Sequence, residues 1–249
     1  MVKGSRLLAE THGGGWQNPY VTDGLIAMWD GEWNAGGGVH DANATTWVDL
    51  SGNGIDMISN GEPNFGANYV TSTKVENLWH TDETNLVDGI FTNGTFTIEH
   101  AIQMADTRAS QKLAMLGGGA LTQGICAQTA QTGDGRVGGE VRVQGSGSTS
   151  TYASLGFSGK LEIHGDGSAY GFSYTDWSGG TTSRSAPISS LPVGYVSKRF
   201  AIGYRYTYSS DSPTVNGMKF YCIRVYNRAL TAAEIAANYA IDKARFNLP

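Results

Sequence analysis

From Val21 to about residue 229 the chain repeats one pattern: short apolar runs, many alternating side to side, broken by clusters of Gly, Asn, Asp and Ser. No sustained 3.6-residue apolar period interrupts it. Many short strands without intervening helices can bury their apolar faces only by stacking into a sandwich or closing into a barrel. Composition agrees. Glycine supplies 35 of 249 residues, about 14 % and twice the ~7 % of average proteins, so the chain turns often. Charged residues make up only 16 %, while Thr, Ser, Tyr, Val and Ile are plentiful, a balance that favours strands.

Side-chain alternation assigns faces within several segments. In 95–104, Phe96, Ile98, His100, Ile102 and Met104 fall on one side and Thr97, Glu99, Ala101 and Gln103 on the other. The first set is expected to face the core, which makes His100 a packed histidine. In 199–208, Phe200, Ile202, Tyr204, Tyr206 and Tyr208 share a face; in 160–164, Leu161 and Ile163 alternate with Glu162 and His164. Further strands are expected at 24–29, 111–116, 139–143 and 219–226. Residues 1–20 show no periodicity, and Gly13, Gly14 and Gly15 with Pro19 read as a flexible leading segment, so the domain is expected to span 21–249.

One helix announces its start. Thr231 followed three residues later by Glu234 is a capping box, predicting a helix over 232–245. Its stripe of Ile235, Tyr239 and Asp242 is narrow and suits a closing element against the sandwich edge. Cys126 and Cys222 lie 96 residues apart without metal-type spacing and are expected to be small buried thiols.

Charge and hydropathy disfavour several functions. Net charge is −5 and no Lys/Arg run exceeds two residues, so the basic footprint of a nucleic-acid binder is missing. No long apolar stretch predicts membrane insertion, and the first twenty residues lack the apolar core of a signal peptide. Release on a virus particle by lysis is one route outward that needs no such signal.

Both ends carry a resemblance. Asp23-Gly24-Leu25-Ile26-Ala27-Met28-Trp29-Asp30, followed by Thr46-Trp47-Val48-Asp49-Leu50-Ser51-Gly52-Asn53-Gly54, looks like the opening strand and hairpin of the laminin-G-like jelly rolls of the concanavalin A-like lectin and glucanase superfamily. Ile223-Arg224-Val225-Tyr226-Asn227-Arg228-Ala229-Leu230-Thr231, with Glu234-Ile235 and Asn238-Tyr239, is similar to that family's last strand and closing helix. The middle does not match in detail. The resemblance implies an all-β, antiparallel β-sandwich of jelly-roll type with one short C-terminal helix, its first strand (Leu25 to Trp29) paired with its last (Tyr221 to Val225). The opening segment also looks like proteins encoded by gut bacteria and their phages. This superfamily hosts lectins, glucanases, adhesion modules and phage tail parts, so the site must decide function.

Three chemistries are weighed. A retaining glucanase needs two carboxyls about 5 to 5.5 Å apart; the nearest segment, Glu162-Ile163-His164-Gly165-Asp166, resembles a strand running into a turn, and no catalytic activity is expected. Calcium is the second, because relatives hold it at the rim: Asp30, Asp49, Asn53 and Asp56 could offer hard oxygens, the alternative being a turn built on Ser51-Gly52-Asn53-Gly54 and Asp49. The third is sugar binding, which needs an aromatic ring beside hydrogen-bonding polar groups. Tyr170, Tyr174, Asp176, Trp177 and Arg184 form the leading candidate cluster; Trp33 with Asn34 and Trp79 with His80 are weaker. Tyr174 and Trp177 have a bland alternative as core and hairpin staple. The expected function is a non-catalytic carbohydrate-binding or adhesion module on a phage tail or fibre or a bacterial surface, with a cell-surface glycan or polysaccharide and other virion proteins as partners. A structural virion or fibre protein is the alternative and a glycoside hydrolase the third.

Overall fold

The computed structural model describes residues 16–59, 65–72, 79–82, 86, 94–103, 112–116, 124–129, 136–142, 148–154, 158–187, 199–202 and 218–249. Met104, Gln111, Val143, Tyr204, Tyr206 and Tyr208 lie outside them, as do the side chains of Cys126, Tyr170 and Arg184. In chain order the strands are β1 (Leu25–Asp30), β2 (Thr46–Trp47), β3 (Met57–Ser59), β4 (Val70–Ser72), β5 (Trp79–Thr81), β6 (Thr95–Gln103), β7 (Lys112–Leu116), β8 (Gly124–Thr129), β9 (Arg136–Arg142), β10 (Ser148–Ser154), β11 (Ser158–Asp166), β12 (Ala169–Asp176), β13 (Thr181–Pro187), β14 (Phe200–Ile202) and β15 (Met218–Tyr226), followed by helix α1 (Ala232–Arg245).

All strand pairs are antiparallel and fall into two sheets. One runs β1-β15-β6-β11-β12-β13 with β4 also on β15; the other runs β10-β9-β8-β7-β14-β5-β3-β2. The first and last strands pair as the resemblance implied, Trp29 opposite Ile223 and Ala27 opposite Val225. Between the sheets lies the main core, where Trp29, Trp47, Phe96, Ile98 and Phe220 are each at most 1 % exposed. The alternation of β6 thus points inward as read from its residues. His100 joins that face, stacked against Phe200 at 6.4 Å, and neither of its ring nitrogens has a well-formed hydrogen bond. Burial pushes the imidazole down to about 4.

The outer face of the first sheet departs from expectation. Thr97, Glu99, Lys160, Glu162 and Arg224 on it are as buried as the core, because α1 lies across the face and not at the edge. Register puts Met28, Arg224, Glu99 and Glu162 in one row across neighbouring strands. Arg224, fully buried, donates from Nε to Glu99 at 2.8 Å and grips Asp242 of α1 with both terminal nitrogens at 2.7 and 2.6 Å. Lys160 donates to Glu99 at 2.7 Å and to the Ile235 carbonyl at 2.8 Å; Asn238 donates to Glu99 at 2.8 Å. Burial alone would raise the Glu99 carboxyl, but the Arg224 and Lys160 cations outweigh it and hold the group below its ordinary range. Alternating polar residues on a strand ordinarily mark a wet face. Here Glu99, Lys160 and Arg224 find partners on the helix, and a second, smaller core forms around Tyr20, Met28, Trp177, Cys222 and Phe246.

The capping box at the start of α1 is present, with the Thr231 hydroxyl accepting the Glu234 N–H and the Glu234 carboxylate accepting the Thr231 N–H. Arg228 binds the same carboxylate at 2.6 and 3.0 Å. Cys222 is a free, fully buried thiol, and burial pushes its ionisation well up. Trp16 and Tyr20, assigned by the sequence to a flexible leader, are packed on the sandwich: Tyr20 is 4 % exposed, and its hydroxyl accepts from Arg245 at 2.8 Å. No described helix is long and apolar enough to cross a membrane.

Candidate functional site

Among its described side chains, the β12–β13 cluster does not offer a sugar an open ring. Tyr174 is 5 % exposed and belongs to the main core, since β12 presents it on the same side as Phe172. Trp177 is 1 % exposed, stacked on Tyr239 of α1 at 5.2 Å, and its carbonyl accepts from Lys243 at 2.6 Å. Asp176 serves the turn: Oδ1 accepts from the Ser178 hydroxyl and N–H and from the Gly180 N–H, and these bonds lower its pKa. In the strand register Tyr170 pairs with Ala186 and Arg184 with Phe172. Tyr174 is therefore a core residue and Trp177 a staple beneath a helix, because a tryptophan closing this hairpin removes its apolar surface from water by packing under α1.

The four proposed calcium ligands divide into separate structures. Asp49 accepts from the backbone N–H groups of Met28, Ser51 and Ile55 and from the Ser51 hydroxyl; Asp56 accepts the Asp49 N–H at 2.9 Å. Asn53 donates to the Ile26 carbonyl at 3.1 Å. This is a carboxylate-centred turn, the alternative weighed for Ser51-Gly52-Asn53-Gly54, with Gly52 and Gly54 at positive φ. Burial raises the Asp49 carboxyl while its hydrogen bonds oppose the rise. Asp30 instead binds Arg245 at 2.7 Å and accepts the N–H groups of Glu32 and Trp33. Among the described residues no three His, Cys, Asp or Glu side chains converge in a metal-type cluster. In the segment nearest a catalytic spacing, Glu162 lies 2.9 Å from His164, while Asp166 caps the following turn through Ser168 and Ala169.

Of the weaker pairs, Trp79 and His80 are buried in the sandwich. Asn34 is fully buried and clasps the loop after β1, donating to the Asp41 carbonyl at 2.7 Å and accepting the Asp41 N–H at 2.9 Å. Trp33 alone of these is partly exposed, and it is the middle of something the sequence did not reveal. Trp16 meets it edge-on at 5.4 Å, lying flat over Gly37, where a Cβ would strike the indole. The Arg245 guanidinium sits 3.4 Å from the Trp33 ring centre and 4.8 Å from that of Phe246. Phe246 continues to Tyr221 at 5.3 Å, Tyr221 to Tyr69 at 6.0 Å, and the Lys219 ammonium lies 4.5 Å over Tyr69.

The result is a strip of two ring groups, Trp16–Trp33 and Phe246–Tyr221–Tyr69, bridged by the Arg245 guanidinium. Trp16, Trp33, Tyr69 and Lys219 are partly exposed in it, and Glu32, 38 % exposed, pairs with Arg245 at 2.8 Å along its border. Its members come from the leading segment, the loop after β1, the residue before β4, strand β15 and the end of α1. No local period links them, so sequence reading could reach only Trp33.

No family model matches the sequence, and no curated protein matches it. Solved structures do. A Trypanosoma rangeli sialidase in complex with sialic acid is 15 % identical over 87 % of this chain, with a TM-score of 0.53. The binding domain of botulinum neurotoxin DC in complex with SialylT is 10 % identical over 89 %, with a TM-score of 0.61. The botulinum neurotoxin serotype C1 binding domain is 11 % identical over 89 %, with a TM-score of 0.60. The present chain spans 32 % of the sialidase chain and 52 % of each neurotoxin chain. At such identities the likeness concerns architecture alone: the chain is an antiparallel β-sandwich closed by a C-terminal helix.

Proposed function

We propose that this protein is a non-catalytic carbohydrate-recognition module whose sugar platform is the strip from Trp16 to Tyr69. The observation that carries the reading is the strip itself. Partly exposed rings held rigidly by neighbours match the apolar C–H faces of pyranoses, and the adjoining Glu32, Gln103 and Lys219 supply hydrogen-bonding groups for hydroxyls. Likeness in fold to structures solved with sialic acid and with SialylT supports it. Placement on a phage tail or fibre, or on a bacterial exterior, rests on the resemblance at residues 23–54, and adhesion to a cell-surface glycan is the role such a placement implies.

The test is a glycan array probed with the whole chain and with Trp33→Ala and Tyr69→Ala. Wild type binds a defined glycan set; each variant weakens binding about tenfold or more while keeping its β-rich circular dichroism spectrum, as expected where a stacked ring contributes of order 1 kcal/mol beyond its area. A silent array together with a stable higher oligomer in light scattering replaces this reading with the structural one. Reducing-sugar release from a polysaccharide panel overturns the non-catalytic assignment.

A further inference from the structure

The strip ends in a group of donors with no acceptor among the described residues. Lys219 and Gln103 are opposite one another on β15 and β6, and because Phe220 and Ile102 face the core, both project from the outer face. Opposed residues place their Cβ atoms about 4.5 to 5.5 Å apart. Among the described residues no carboxylate or carbonyl accepts from the Lys219 ammonium, which lies 4.5 Å over the Tyr69 ring. Other cations differ: Arg245 is held by Asp30 and Glu32, Arg224 by Glu99 and Asp242, Lys160 by Glu99, and Arg228 by Glu234.

Gln103 is oriented by Tyr221, whose hydroxyl donates to Gln103 Oε1 at 2.9 Å. Burial, with Tyr69 adding to it, raises the Tyr221 phenol above its ordinary value, so the hydroxyl stays protonated and remains the donor. With its oxygen taken, Gln103 presents the two N–H groups of Nε2. An ammonium with three N–H donors stands beside them. Such a pair, next to an aromatic ring, wants a ligand bearing two acceptor oxygens on a sugar-sized body.

Resting on the carbohydrate reading above, we infer that Lys219 and Gln103 form a carboxylate subsite and that the preferred ligand is an acidic sugar, with its carboxylate on these two residues and its ring along Tyr69. One unpaired ammonium suits one carboxylate per recognised unit. A net charge of −5 disfavours densely charged polyanions.

The experiment is isothermal titration of wild type, Lys219→Gln and Lys219→Arg with matched pairs: 3′-sialyllactose against lactose, and oligogalacturonate against its methyl ester. Wild type prefers at least one acidic member over its neutral counterpart by about tenfold at low salt, the effect of one charged hydrogen-bonded contact. High salt shrinks the preference. Lys219→Gln brings the acidic-to-neutral ratio to about one, and Lys219→Arg retains most of it. Equal binding of acidic and neutral members by wild type, or a preference that survives in Lys219→Gln, overturns the subsite and leaves the carbohydrate reading standing. Failure to bind either member of both pairs, with a silent array, overturns the carbohydrate reading and the subsite with it.

Discussion

Lowering the pH from 7 to 5 should destabilise this protein by about 2 kcal/mol through one residue, His100. The imidazole is 1 % exposed, lies against Phe200 between the two sheets, and has no well-formed hydrogen bond to either nitrogen. Burial takes its pKa from 6.5 to about 4. The folded state therefore binds the proton less readily than the unfolded chain. Stability is complete above the unfolded value and is lost as pH falls through 6.5 towards 4, where the folded imidazole itself begins to charge. Each unit of difference corresponds to about 1.4 kcal/mol, so the full span is about 3 kcal/mol, of which about 2 kcal/mol falls between pH 7 and 5. Urea unfolding at half-unit pH steps reads this directly, with a midpoint shift of roughly 1 M for a slope of about 2 kcal/mol/M. His100→Leu supplies the control, because it cannot charge and its stability should stay flatter over the same interval. The carboxylates held low, Glu99 among them, titrate below their ordinary 4.5 and act mainly outside this window. An equal pH dependence in wild type and His100→Leu, or an imidazole resonance titrating near 6.5 in the folded protein, would refute the reasoning.

Other perturbations follow from the same structure. Arg224→Met leaves Asp242 buried without its cation and should cost about 3 to 5 kcal/mol, seen as a melting point lower by roughly 10 °C; adding Asp242→Asn should restore part of it. Trp177→Ala opens a cavity beneath α1 and should lower stability by about 3 to 5 kcal/mol in urea unfolding, because the ring is a buried staple and not a ligand contact. Gly37→Ala drives a methyl group into the Trp16 indole and should cost about 1 to 3 kcal/mol, with Trp16 displaced and tryptophan emission red-shifted.

The residues differ in how much of this they disclosed. Strands such as β6 and β11 were readable because their inner faces are apolar but for His100, and α1 was readable because Thr231 and Glu234 act within one turn. The identity of the outer face was not. Thr97, Glu99 and Lys160 alternate in the same way whether water or a polar helix covers them, and Asp242 and Asn238, the residues that complete the face, lie more than a hundred positions from Glu99. Trp177 followed the same logic: a hairpin tryptophan beside glycines looks exposed until the helix stacked on it is known. The candidate strip was the least legible part, because Trp16, Trp33, Tyr69, Tyr221 and Phe246 meet only after five separate segments have folded. Distance in the chain, and not weakness of the interactions, hid it.

The two-pronged grip of Arg224 on Asp242 also acts as an indexing pin. Sliding the helix by a single position would turn its side chains by about 100° and move them 1.5 Å, withdrawing the carboxylate from a cation that has no water to fall back on. Only one seating is left, and three positions further along it fixes where Arg245 lands on Trp33. The spacing of the surface rings is thus inherited from a bond hidden beneath them.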